Sequence, residues 1–302
     1  MLIKDLIREA TQILQSKKID NPIIEAISLV AHGLSMDKST LYTKYNDQVE
    51  ISLIPTILSL INRRAKYEPL QYITGTLNFM GLEFLISPPV FIPRPETEMI
   101  VEQAIKIAHL FPLPSGSRFG GTNPKTQPST QIIFDICTGS GVIAITLAKL
   151  LPQAFLYATD IIDLKLAKLN ATKHGVANRI SFIQANLLSP FKKQIPSHLH
   201  LRADIIIANP PYIPTAQIRS LQPEIKSFEP LNALDGGNDG MLFIRLLIKQ
   251  APLYLKSHNS ALLLEIAPEQ KTNASKLAKK YFRKVAVLKD FYSKDRILIC
   301  SF

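Results

Sequence analysis

From residue 131 to the C terminus, short apolar runs alternate with helical stretches. The runs are "IIFDI", "FLYATDI", "ISFIQA", "ADIIIA" and "ALLLEI", and helical patterns separate most of them. A strand joined to the next strand by a helix crosses over and pairs in parallel. Repeated crossovers build a doubly wound sheet with helices on both faces. The final two runs break this rule. "KVAVLKDF" and "RILICSF" are separated only by "YSKD". That link is too short for a crossover helix, so the last two strands must form an antiparallel hairpin.

The rest of the chain has a different character. Leu2, Ile3, Leu6, Ile7, Ala10, Ile13 and Leu14 repeat at helical spacing,. "DNPIIEAISLVAHG" offers Asp20 or Asn21 as a cap, Pro22 in the first turn and Gly33 as a stop,. "IPTILSLINRRAKY" reads as a further helix. "LQYITGTLNFMGLEFLISPPVFI" alternates and is punctuated by Gly75, Gly81 and Pro88-Pro89, so a β-hairpin linker is expected,. "PRPETEMIVEQAIKIAHL" opens a helix with Pro95 at its start and Glu96 and Glu98 at its positive end,. The stretch 111–130 is rich in Pro, Gly, Ser and Thr and reads as a flexible surface insertion,. The expected organisation is a small helical domain over 1–69, a hairpin linker over 70–93 and a large domain over 94–302. A mostly parallel doubly wound sheet closed by an antiparallel hairpin is the class I methyltransferase fold. An α/β architecture of that class is therefore expected.

Composition narrows the function classes. With 302 residues, 46% of them hydrophobic and 20% charged, the chain suits a soluble globular protein of two domains,. No apolar run is long enough to span a bilayer. The start carries Lys4, Asp5, Arg8 and Glu9 and does not read as a signal peptide, so a cytoplasmic protein is expected,. Two cysteines, Cys137 and Cys300, do not make a disulfide framework,. The six histidines lack metal-ligand spacing, and His198 and His200 read as loop surface, so no metal is expected,. Lys plus Arg number 35 against 24 acids, a net charge of +11. The pairs Lys17-Lys18, Arg63-Arg64, Lys192-Lys193 and Lys279-Lys280 lie far apart in sequence. Scattered solvation is the favoured reading over a nucleic-acid footprint.

Two motifs carry chemistry. "IIFDICTGSGVIAITLAKLL" is a strand, a glycine turn and a helix, a cradle that brings backbone and a helix N-terminus to a ligand,. Gly139, Gly141 and Ala144 also fit the dinucleotide fingerprint, and Asp160 stands where an acid would hold ribose hydroxyls,. The turn alone does not separate a nicotinamide dinucleotide from S-adenosylmethionine. Asp135, just ahead of the turn, favours the latter: it would attract a cationic amino group and repel a pyrophosphate,.

The second motif is "ADIIIANPPYIP". A core strand delivers Asn209 to the sheet edge, and Pro210 and Pro211 fix the chain that follows,. An amide oxygen and a backbone carbonyl together accept both hydrogens of a substrate –NH₂, while Tyr212 packs against its flat face. Such acceptors return electron density to a delocalised nitrogen. Beside a sulfonium methyl, alignment then supplies much of the rate, ~7–11 kcal/mol in general, and no strong base is needed.

These motifs, with "YEPLQYITG", "FIPRPETEMIVEQAI", "FDICTGSGVIAITLA" and "FEPLNALDGGNDG", resemble the HemK/PrmC family of peptide chain release factor glutamine N5-methyltransferases from about residue 67 onward. The resemblance implies a glutamine on a Gly-Gly-Gln loop as substrate and S-adenosyl-L-methionine as methyl donor, with S-adenosyl-L-homocysteine as product. It implies that Asn209 and Pro210 bind the glutamine amide, that Pro211 and Tyr212 shape its slot, and that Asn209, Pro210 and Tyr212 are the catalytic set. Cys137, Thr138, Gly139, Ser140 and Gly141 would line the methionine part of the cofactor, with Asp135 and Asn209 also at the cofactor. Asp160 would hold the ribose, and Asn186 and Leu187 would flank the adenine. "FEPLNALDGGNDG" would wall the site. Three departures from the family pattern stand out: Cys137 replaces the usual first glycine, Asn186 replaces a frequent Asp, and "HNSALLLEI" has no glycine ahead of its strand.

The function expected is methylation of release factor glutamine by a monomeric cytoplasmic enzyme, with the helical N-terminal region as the candidate partner-binding part and no direct nucleic-acid or membrane partner. Three rivals stand beside it: a ribosomal-protein glutamine methyltransferase, a nucleic-acid amino-methyltransferase using the same Asn-Pro-Pro-Tyr logic, and a non-catalytic cofactor-binding regulator of translation. A base-modifying enzyme must flip and stack its target, and the chain has no Trp.

Overall fold

In the computed structural model, residues 1–110, 130–193, 202–256 and 258–302 are described. The expected insertion over 111–130 falls almost wholly outside them, as do His198 and His200. The elements are, in order, α1 (Ile3–Ser16), α2 (Pro22–Gly33), α3 (Lys38–Thr43), α4 (Ile54–Ala65), α5 (Leu70–Thr74), β1 (Thr76–Phe79), β2 (Leu82–Leu85) and α6 (Thr97–Leu110). There follow β3 (Gln131–Ile136), α7 (Val142–Leu150), β4 (Ala154–Asp160), α8 (Lys165–Lys173), β5 (Ile180–Gln184), α9 (Pro190–Lys193) and β6 (Ile205–Ala208). The chain ends with α10 (Pro223–Phe228), α11 (Leu242–Tyr254), β7 (Ala261–Glu265), α12 (Lys271–Ala278), β8 (Lys284–Lys289) and β9 (Asp295–Ser301). It divides into two compact units. The first comprises Met1–Leu77, Ile86–Pro89 and Leu221–Glu229, and the second Asn78–Leu85, Val90–Ser220 and Pro230–Phe302.

The first unit is helical because its apolar residues recur every three or four positions. Ile3, Leu6, Ile7, Ala10 and Leu14 form the buried stripe of α1,. They pack with Leu29, Leu41, Ile57 and Ile61 in one core. Asp37 caps α3, accepting from the Thr40 amide at 2.8 Å,. Asn21, expected as a cap of α2, precedes that helix in a left-handed conformation and makes no side-chain cap bond. Leu70–Thr74 is helical where alternation suggested a strand. Pro69 begins that turn, and Tyr72 and Ile73 are buried, so tertiary packing overrides the local pattern. The hairpin is shorter than expected and turns at Met80 and Gly81, both at positive φ, as a two-residue hairpin requires,.

Arg64 holds this unit together. Its guanidinium is buried and donates to both oxygens of Glu25 on α2, to Glu224 on α10 at 2.6 Å and to the Glu68 carbonyl at 3.3 Å. A segment 160 positions away in sequence is thus tied to α4 by a buried ion pair. Removing one partner of such a cluster leaves charges buried and unpaired. Arg64→Ala is therefore expected to lower stability by about 3–5 kcal/mol, measured by urea unfolding. A loss under about 1 kcal/mol, the range of an exposed pair, would contradict a buried role.

The second unit is built on a seven-stranded sheet in the order β5-β4-β3-β6-β7-β9-β8. β3 to β7 pair in parallel, and β9 pairs antiparallel with both β7 and β8. This mostly parallel sheet with an antiparallel C-terminal hairpin is the arrangement the strand spacing predicts. β6 and β7 are wholly buried, and apolar apart from the terminal Glu265, as strands covered on both faces must be,. Helices α6 and α7 cover one face with Ile100, Val101, Ile143 and Leu147. On the other face α11 and α12 supply Ile244, Leu247, Ile248 and Ala274. The open edge, β8, exposes Lys284 and Lys289, charges that discourage pairing with another sheet,.

Candidate active site

The register of the sheet assembles the site. β3 pairs with β4 as far as Ile136↔Thr159 and with β6 as far as Ile136↔Ala208. β6 pairs with β7 as far as Ala208↔Leu264. One residue further along each strand, Asp160, Cys137, Asn209 and Glu265 stand in a row along the C-terminal edge. Strand order reverses between β3 and β6, and there a doubly wound sheet opens its ligand crevice,. The glycine turn and the Asn-Pro-Pro-Tyr loop leave the sheet side by side at that point.

The glycine turn is braced from below. Asp135 is fully buried, and its Oδ2 accepts from the Thr138 hydroxyl at 2.6 Å and the Ala144 amide at 3.1 Å. Its other oxygen has no partner among the described residues. One oxygen of Asp135 thus shapes the turn, and the other is left without a protein donor among those residues. Gly141, at φ +85°, leads into α7 without a side-chain cap. A Cβ there would come within 2.9 Å of Ile145 Cδ1 and 3.2 Å of Ala167 Cβ, so only glycine allows α7 and α8 this close. Ser140 is buried, and its carbonyl accepts from Asn170 Nδ2 at 3.0 Å. Cys137 has φ +63°, a left-handed conformation that favours glycine,. A side chain there costs about 1–2 kcal/mol. Burial pushes the Cys137 thiol well above its ordinary pKa, with Asp160 and Asp135 adding to the effect. It stays a neutral thiol and not a nucleophile.

Asp160 joins β4 to this turn. Its Oδ2 accepts from the Gly139 amide at 2.8 Å, and its Oδ1 from the Ile161 and Ile162 amides at 2.7 and 3.3 Å. The chain after β5 is stitched alongside. The Ala185 amide donates to the Asp160 carbonyl at 2.7 Å, and the Thr159 hydroxyl to the Leu187 carbonyl at 3.1 Å. Asn186 is exposed there and Leu187 buried.

Across the crevice, Pro210 and Pro211 are buried and Asn209 and Tyr212 half-buried. Asn209 Nδ2 donates to Thr97 Oγ1 at 3.2 Å, and Thr97 Oγ1 donates to Glu265 Oε2 at 2.9 Å. The Tyr212 hydroxyl donates to Glu265 Oε1 at 3.1 Å. Burial, with Glu265 next, raises the Tyr212 phenol, so it remains protonated. The backbone of the loop is walled by "LDGGNDG". Ile213 donates to the Leu234 carbonyl at 3.0 Å and accepts from Gly236 at 2.8 Å. Gln270 Nε2 bridges the Tyr212 and Gly240 carbonyls at 2.8 and 3.0 Å. A Cβ on Gly240 would sit 2.2 Å from the Tyr212 carbonyl oxygen, so wall and loop touch backbone to backbone.

The electrostatics favour a cation. Burial raises Asp135 to about 7, and it raises Asp160 and Glu265 above the ordinary carboxylate range. The partners of Asp135 and Asp160 are amides and the Thr138 hydroxyl, not lysines or arginines. A positively charged ligand lowers the cost of ionising these groups, and a pyrophosphate raises it. The unpartnered Asp135 oxygen fits a sulfonium cofactor better than a dinucleotide. Among the described residues no group of three or more His, Cys, Asp or Glu is arranged to hold a metal ion.

Every residue singled out from the motifs lies on the turn, on the loop or beside Asp160. Sequence reasoning missed Thr97, Glu265 and Gln270. Glu265 had a signal, an acid ending an apolar strand as Asp135 and Asp160 do. Thr97 lies within "RPETE", which was read for its helix start and for the family resemblance, not for a side-chain role.

Comparison with known proteins gives concordant results. Residues 5–75 match the family model described as PrmC N-terminal domain, and residues 116–222 the one described as Methyltransferase small domain. A release factor glutamine methyltransferase of Geobacter sulfurreducens is 38% identical over 80% of this chain and 76% of its own length. One of Thermodesulfovibrio yellowstonii is 38% identical over 92% of this chain and 91% of its own. One of Moorella thermoacetica is 34% identical over 99% and 98%. Among solved structures, the hMettl16 catalytic domain in complex with MAT2A 3'UTR hairpin 1 superposes with TM-score 0.53 and 14% identity, covering 87% of this chain and 90% of that one. That likeness concerns the fold alone, the fold of a class I methyltransferase.

The raised Asp135 carboxyl has a consequence for stability. Its pKa lies near 7 when folded, against an ordinary value of 3.8. Below pH 4 the group is protonated in both states, and between about 4 and 7 only the folded state keeps its proton. Its contribution is therefore full below pH 4 and lost as pH rises toward 7. Asp135→Asn, which cannot ionise, is expected to show a shallower decline in unfolding free energy from pH 4.5 to 7 than the wild type. Parallel urea-unfolding profiles for the two proteins would contradict this.

Proposed function

This chain belongs to the release factor glutamine methyltransferase family, and on that premise we propose that the crevice at the ends of β3 and β6 is where a release factor glutamine is methylated on its side-chain nitrogen. The observation that carries the proposal is Asn209, tethered through its –NH₂ beside the carboxylate-rich glycine turn. When bound, S-adenosyl-L-methionine supplies a methyl group activated by the sulfonium charge. Residues 137–141 hold its methionine part, Asp160 its ribose, and Asn186 and Leu187 flank its adenine.

The remaining work falls to the loop. Asn209 Oδ1 accepts one N–H of the glutamine amide and the Pro210 carbonyl the other. Both acceptors draw the two hydrogens toward a pyramidal geometry and return the delocalised lone pair to nitrogen. Pro211 and Tyr212 shape the slot and keep water from it. The surplus proton on nitrogen stays against these acceptors until it passes to water, so no buried base is required. The glutamine sits on the Gly-Gly-Gln loop of the release factor, and residues 1–69 recognise the rest of that protein. The enzyme works as a monomer in the cytoplasm, with residues 94–302 as its catalytic part. No helix among the described residues is long and apolar enough to cross a membrane.

The test is methyl transfer from labelled S-adenosyl-L-methionine into purified release factor, with ribosomal protein and nucleic acid as parallel acceptors. Label in nucleic acid but not in release factor would reverse the assignment. Asn209→Ala is expected to slow single-turnover transfer by ~10²–10³, the usual loss for one preorganised polar group. A rate within a few-fold of wild type would leave the carbonyls to hold the amide alone. Asp160→Ala is expected to weaken cofactor binding in calorimetry more than it slows transfer at saturation. Unchanged affinity would remove Asp160 from the cofactor site.

A further inference from the structure

An amide has two ends, and only one serves this reaction. If the Asn209 –NH₂ faced the substrate, two donors would oppose each other and the glutamine would be repelled. Something must decide which end faces the crevice, since the two orientations have nearly the same shape.

The decision is made two residues away. Glu265 is 1% exposed and sits at the end of β7, level with Asn209 in the sheet. As a carboxylate it has no hydrogen to give. Thr97 at 2.9 Å and Tyr212 at 3.1 Å must therefore both donate to it. Once its hydrogen is committed, Thr97 Oγ1 offers Asn209 only lone pairs. At 3.2 Å it accepts an N–H from the amide and repels the amide oxygen,. The chain of donors thus runs one way, from Asn209 to Thr97 to Glu265. Burial raises the Glu265 carboxyl, and the two hydroxyl donors, Thr97 and Tyr212, followed by the positive charge of Arg296, oppose that rise and favour its ionised form.

We propose that Thr97 and Glu265 are positioning residues that lock the Asn209 amide with its oxygen toward the substrate nitrogen. Neither touches the reacting atoms; each acts through Asn209. Tyr212 shares the Glu265 anchor, so one buried carboxylate sets both the acceptor and the slot beside it. This inference rests on the proposed reaction, whose site it deepens. It adds an assignment of which side chains make that site directional.

A double-mutant cycle on the full chain tests it, using release factor and S-adenosyl-L-methionine at saturation and reading the single-turnover rate. Thr97→Val keeps the shape and removes the hydroxyl. It is expected to slow transfer by about 10–100-fold in the wild-type background, short of the full loss of the acceptor. In the Asn209→Ala background the same change is expected to cost less than about twofold, because residues that act through one another are not additive. Thr97→Ser, which restores the hydroxyl, is expected to return the rate to within a few-fold of wild type. Cofactor affinity by calorimetry is expected to be the same for Thr97→Val and Thr97→Ser as for the wild type.

Glu265→Gln gives a second route should the valine variant unfold. Its amide can donate to Thr97, freeing the threonine hydrogen to attract the Asn209 oxygen and turn the amide round. The loss is again expected to vanish in the Asn209→Ala background. Equal losses in both backgrounds, or failure of serine to rescue, would overturn the positioning role. Absence of release factor methylation by the wild type would overturn the parent reading and this one with it, and is told apart because it involves no variant.

Discussion

Parallel pairing of β3 with β6 is the constraint on which the active site depends. Both strands run the same way, so both end at the same edge. Strand order reverses between them, so the chain leaving β3 and the chain leaving β6 diverge to opposite faces,. The glycine turn and the Asn-Pro-Pro-Tyr loop are thereby brought together although 72 positions separate Ile136 from its partner Ala208. A one-residue slip in this pairing would move Asn209 off the crevice and turn the strand's alternate side chains to the other face.

The same edge concentrates charge in an otherwise apolar sheet. Asp135, Asp160 and Glu265 each end or nearly end a buried strand. Each is made tolerable by donors: a hydroxyl and an amide for Asp135, three amides for Asp160, two hydroxyls for Glu265. Those donors are also the groups that shape the site. Satisfying the buried carboxylates and building the cradle are one operation, because an unsatisfied charge at this depth would cost several kcal/mol. The residual negative potential along this edge favours a positively charged ligand over an anionic one.

Backbone contact gives the loop its other support. Gly236 and Gly240 bring the wall against Tyr212 at distances no side chain would allow. Beyond the loop, the chain leaves the second unit after Ser220, contributes Leu221–Glu229 to the first, and returns at Pro230. Arg64 fixes that excursion through Glu224.

The strands and their directions were legible because period-two and fully apolar runs have few alternatives. The last hairpin was legible because four residues cannot make a crossover. Asn209, Gly139, Gly141 and Asp160 were legible because their residue types are unusual at strand ends. Leu70–Thr74 was misread because a five-residue stretch carries too little pattern to oppose its packing. The edge position of the lysine-bearing strand and the Arg64 cluster were not visible, since both depend on which distant segments become neighbours. Sequence by itself thus determined the sheet, its glycine turn and the amide at its edge, for these follow from local periodicity and from residue chemistry. Only the tertiary structure decided that Asp135 braces the turn from beneath, and that Thr97 and Glu265 close on Asn209 and give its amide a direction. Hydrogen bonds between strand ends and a helix N-terminus 112 and 168 positions apart leave no trace in local spacing.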